Sequence, residues 1–153
     1  MAYKTLVADA FTTRLWDALR SIEEDKGSFA LAMVVPSESG LSQKWNLVVS
    51  AHWMDQEGVR NSVIRISSAL KQYLPKSMAN RIERISVMPG SDPFVREMAL
   101  LNISGGLGIS GGPPFRVESL ALMSHGVEDA TVFVAKRPSE QQQRTRATVR
   151  TQR

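Results

Sequence analysis

Apolar residues near the N-terminus recur at helical spacing: Phe11, Leu15, Ala18, Leu19 and Ile22 share one stripe, with Trp16 beside it. The spacing predicts a first helix over residues 8–25, closed by Lys26-Gly27 because glycine takes a left-handed cap without a Cβ penalty. Residues 28–35 (SFALAMVV) are continuously apolar, the pattern of a central strand covered on both faces. Residues 45–53 alternate instead. Trp45, Leu47, Val49, Ala51 and Trp53 point one way, and Asn46, Val48, Ser50 and His52 the other, which reads as a second strand pairing antiparallel with the first.

Asp55 is placed to cap a following helix, with Glu57 in its first turn. Val59, Val63, Ile66, Leu70 and Tyr73 or Leu74 form its expected buried stripe, Arg60, Asn61, Ser68, Lys71 and Gln72 its wet face, and Pro75 stops it. Residues 81–88 (RIERISVM) alternate imperfectly and read as a strand. If it lies parallel beside the previous one, the connection is a crossover. Asp92-Pro93 starts another helix, since aspartate caps free amides and proline suits the first helical position. Phe94, Val95, Met98 and Leu101 face inward on it, and it ends near Asn102. A glycine-rich loop follows, then strands over residues 115–123 and 130–135 joined across His125-Gly126.

The order α, β, β, α, β, α, β, β predicts an α+β fold: a single mixed sheet of about five strands with two to three packed helices, in two or three layers. In element order alone it resembles profilin-like and roadblock-like interaction domains. No residue motif ties the chain to either, and fold analogy is a weak warrant for function.

Charge divides the chain into a globular domain over residues 1–135 and a basic tail over residues 136–153. The tail carries six basic groups against one acid, a net of +5, whereas the domain carries thirteen basic and fourteen acidic groups, a net of −1. Arg60, Lys71, Arg81, Arg84 and Arg96 are dispersed along the domain and form no basic run. The polyanion-binding candidates are therefore Arg137, Arg144, Arg146, Arg150 and Arg153, whose guanidinium forks grip phosphates and carboxylates. The tail has no aromatic residue, so it lacks a stacking platform and is expected to bind nucleic acid or an acidic partner through charge alone. Thr145 to Thr151 also alternates enough to add a strand to a neighbouring sheet edge.

The 153 residues contain no cysteine, which excludes disulfides and thiolate chemistry. With no signal-peptide pattern and no apolar run long enough to span a membrane, the chain reads as cytoplasmic and away from membranes. Gly106-Leu-Gly108-Ile-Ser-Gly111 satisfies G-x-G-x-x-G, but a helix precedes it and Pro113-Pro114 follow it. The dinucleotide fingerprint needs a strand before and a helix after, so the match is rejected. A zinc site would need His52 and His125 to converge with carboxylates, and no serine sits in a nucleophile elbow. The Glu23-Glu24-Asp25 run reads as a solvated helix end. No cofactor is specified.

Two readings follow. The first is a non-catalytic protein-interaction or assembly module that self-associates and uses its arginine tail on an acidic partner or nucleic acid. Trp45, Trp53 and the helix from Phe94 supply large apolar groups for contact. The alternative is a small-molecule-binding domain or enzyme, with a pocket formed by His52, Ser50, Gly106 and Gly108 between the end of the second strand and the loop of residues 105–112.

Overall fold

Residues 2–5, 10–36, 44–100, 115–118 and 130–135 are described in this computed structural model, with 2–5 and 115–118 defined by their backbone pairing alone. In chain order the elements are β1 (Ala2–Thr5), α1 (Ala10–Lys26), β2 (Leu31–Pro36), β3 (Trp45–Ser50), α2 (His52–Glu57), α3 (Val59–Tyr73), α4 (Lys76–Ala79), β4 (Ile82–Val87), α5 (Pro93–Ala99), β5 (Phe115–Glu118) and β6 (Ala130–Ala135). They build an α+β fold on one mixed sheet of strand order β1-β5-β6-β2-β3-β4. Every neighbouring pair is antiparallel except β3 and β4.

The first helix forms where its stripe predicts, burying Phe11, Leu15, Ala18, Leu19 and Ile22. It ends at Gly27, whose φ of 118° needs glycine and whose N–H donates to the Glu23 carbonyl at 2.9 Å. The acidic run before it is tied down, since Glu23 accepts from the Phe29 N–H at 3.3 Å and Asp25 lies 3.7 Å from Arg65.

Strands β2 and β3 pair antiparallel from Leu31 opposite Ser50 to Pro36 opposite Trp45. As the continuous apolar run predicts, β2 is central and buried on both faces. Ala32 and Val34 join Leu47, Val49, Ala51 and Trp53 under α1 and α3. Leu31 and Met33 join Val48, Phe94, Val95 and Met98 under α5. Helices thus cover both faces.

The segment after β3 departs from expectation. A single helix capped by Asp55 was expected, yet Ala51 is the extended residue from which α2 begins, and His52 and Asp55 lie inside that helix. Gly58, at φ 93° and ψ 159°, breaks α2 from α3 in a region that only glycine occupies without strain. The buried stripe of α3 is also rotated: Ser62, Ile66, Ala69 and Leu70 are inside, whereas Val59 is 60% exposed. Ser62 is tolerated there because its hydroxyl donates to the Gly58 carbonyl at 2.7 Å. Strand β1 and the short α4 were not anticipated.

Asp92 and Pro93 start α5 as predicted, with the Asp92 carboxylate accepting from the Phe94 N–H at 2.8 Å. Phe94, Val95 and Met98 are buried and α5 spans Pro93–Ala99, while Leu101 and Asn102 lie outside the described residues.

Candidate functional site

Two adjacent strands set the geometry of the site. β3 and β4 run parallel, joined by α2, α3 and α4, and β4 is the terminal strand of the described sheet. At its start the Trp45 N–H donates to the Arg81 carbonyl at 2.8 Å, and at its end the Met88 N–H donates to the Val49 carbonyl at 2.9 Å. Backbone groups alternate along a strand. With the Met88 N–H turned toward β3, those of Ile85 and Val87 face outward, and among the described residues no strand pairs with them.

The pairing slips between Trp45 opposite Ile82 and Asn46 opposite Arg84, leaving Glu83 as an extra residue. This bulge puts Ile82, Ile85 and Val87 on one face, packed at the margin of the core beneath α1 and α3. A bulge with two charges beside it is how native sheets limit promiscuous edge pairing. The part of the edge clear of the bulge is therefore Ile85 to Val87.

A groove of about 530 Å³ runs between this edge and α3. Its floor is apolar: Val63, Leu70 and Leu74 from α3 and the turn after it, Ala79 from α4, and Ile82 and Ile85 from β4. Among the described residues, Lys71, Lys76 and Arg84 line it with a single acid, Glu83. Lys71, Lys76 and Arg84 make no ion pair among the described residues. The Lys44 ammonium donates to the Asn80 carbonyl at 2.6 Å and fastens the end of α4 where it enters β4. Lys71 and Arg84 are among the dispersed basic residues of the domain that only tertiary structure could bring together, and Lys76 is not singled out in the sequence; the three belong to three different elements.

A second groove, between α1 and α3, is lined by Asp25, Glu57, Ile64 and Arg65. Its charges satisfy one another. Arg65 grips Glu57, and Lys26 and Asp25 flank the pair at 3.9 and 3.7 Å. The Arg65 hydrogen bond holds the Glu57 carboxyl below its ordinary value, and the Glu57 hydrogen bond raises Arg65 in turn.

The residues singled out in the sequence take different positions. Ser50 is fully enclosed, its hydroxyl without a hydrogen-bond partner, while His52 is exposed at the first position of α2. The two share no surface. Asp55 on α2 accepts from the Gly90 N–H at 3.3 Å, tying α2 to the turn after β4. Asp92 accepts from the Phe94 N–H at the start of α5, the position an anion would have taken. Trp53 and Phe94 are core residues, and the exposed large apolar side chains among the described residues are Val59, Ile64 and Leu100. Gly106, Gly108, His125 and Arg137, Arg144, Arg146, Arg150 and Arg153 lie outside the described residues. Among those described, no three metal-ligating side chains cluster and no helix is long and apolar enough to cross a membrane.

No protein-family model matches the chain, and no curated protein or solved structure matches it at the significance required.

Proposed function

We propose that this protein is a non-catalytic interaction module that takes an extended segment of a partner onto β4 as an added strand. One observation carries the reading: the outward backbone groups of Ile85 and Val87 lie beside a groove with an apolar floor. Strand addition uses these two features together, main-chain hydrogen bonds for affinity and pockets for alternate side chains for selection. The arginines of residues 136–153 form a separate polyanion contact in this reading. Self-association is the competing use of the same edge.

Selection of a random peptide library on the full-length protein tests it. Selected peptides are expected to shift the Ile85 and Val87 amide resonances and to lose binding to Ile85→Pro, which deletes an outward N–H and leaves the β3 ladder intact. Ligands that map to the His52 surface, or that bind the proline variant equally well, overturn the reading. Light scattering at rising concentration separates partner binding from pairing between copies.

A further inference from the structure

Resting on the strand-addition reading, we infer that the occupant of the β4 edge is an acidic, extended peptide with apolar side chains at alternate positions. The floor of Val63, Leu74 and Ile85 accepts apolar groups, while Lys71, Lys76 and Arg84 surround it against the single acid Glu83. An added strand presents successive side chains to opposite faces. Apolar groups at every second position meet the floor, and carboxylates between and beside them reach the three cations.

The same charges disfavour the other occupants. A second copy laid edge to edge would bring two sets of Lys71, Lys76 and Arg84 together. In a symmetric antiparallel pair, directly opposed residues lie on the same face. Registers centred on Glu83 or Arg84 therefore oppose like charges, which confines such a pair to the stretch from Ile85 to Val87. The chain's own basic segment, with Arg144, Arg146 and Arg150, carries the sign of the groove. Single-stranded nucleic acid has the matching sign, but among the described residues no aromatic side chain lines the groove to stack a base.

The test uses the full-length protein and three synthetic peptides that alternate valine with glutamate, with glutamine or with lysine, plus a single-stranded oligonucleotide. At low salt the glutamate peptide is expected to bind roughly tenfold more tightly than the glutamine peptide, as three exposed ion pairs imply. That advantage should shrink as added salt shortens the screening length. Arg84→Glu and Lys71→Glu, both on exposed side chains, are expected to remove the preference and to admit the lysine peptide. Equal binding of all three peptides, all lost in Ile85→Pro, overturns the acidic assignment while strand addition stands. Binding of the oligonucleotide alone at this edge, or displacement of every peptide by a second copy, overturns both. Should Ile85→Pro fail to fold, protection of the Ile85 and Val87 amides from hydrogen exchange by the glutamate peptide decides the same question, and unchanged exchange at both refutes it.

Discussion

Arg65 holds Glu57 through two hydrogen bonds across the break between α2 and α3, with Nε donating to Oε2 at 3.2 Å and a terminal nitrogen donating to Oε1. Glu57 is the last residue of α2 and Arg65 lies about two turns along α3, so the fork spans Gly58 and fixes the angle between the helices. Asp25 and Lys26 extend the contact to α1.

Glu57→Gln should therefore destabilise the fold at neutral pH by about 0.5–1 kcal/mol, the range of a partly exposed pair with good geometry. The Arg65 hydrogen bond lowers the folded-state pKa of Glu57 below its ordinary value of 4.5. A lowered carboxyl contributes stability that is complete above the unfolded-state value and is lost as pH falls through the folded one. Urea titrations should show the variant and the native protein converging in strongly acidic buffer. A constant difference at every pH would contradict this assignment.

Gly58→Ala should cost about 1–3 kcal/mol. A Cβ there would meet nothing within 4 Å, so the whole cost comes from holding alanine at φ 93°. Denaturant unfolding measures it, and a change near zero would mean that the α2–α3 break relaxes.

Ile66→Ala should cost about 2–5 kcal/mol, because Ile66 is fully buried between α1 and the sheet. Val59→Ala, at a position 60% exposed, should stay within about 0.5 kcal/mol. Thermal unfolding of the two variants checks the rotated stripe of α3 directly. The opposite ranking would restore the phase read from the sequence.

Asp92→Ala should cost about 0.5–2 kcal/mol through loss of the α5 cap, and Asp92→Asn much less. The effect should be felt on the sheet face that Phe94, Val95 and Met98 cover. Amide exchange across β2 and β6 would register it as faster opening.

Replacing Arg144, Arg146, Arg150 and Arg153 with glutamine in the full chain should weaken single-stranded DNA binding and reduce its salt dependence. Four lost phosphate contacts would flatten the slope of log affinity against log salt by roughly 3. An unchanged slope would move the polyanion contact elsewhere.

Much of the fold was legible because local signals agreed with tertiary demand. The α1 stripe, the apolar run of β2, the alternation of β3 and the Asp92-Pro93 start each specify an element through periodicity or capping. Legibility failed where one short residue decided the path. Gly58 looks like an ordinary helix glycine in sequence, and the buried Ser62 looks like a surface residue until its hydroxyl is seen returning to the Gly58 carbonyl. In β6 (ATVFVA) the apolar run hides a slip at Phe133. Ala32 faces Val134 and Met33 faces Val132, and with Thr131 the one polar residue in the strand, and itself buried, periodicity cannot reveal it. The candidate site could not be assembled from the sequence for a related reason, although Lys71 and Arg84 are among the basic residues it displays. Lys71, Arg84 and Lys76 are separated along the chain, and only the parallel return of β4 beside β3 brings them around one groove.

By itself, then, the sequence determined the class of fold, the central strand, the C-terminal end of α1 and the start of α5, because burial period and capping chemistry act within a few residues. Tertiary structure decided which strand stands at the edge, which backbone groups it turns outward and which cations surround it. Those depend on strand order and register, which are set by packing between segments distant in sequence.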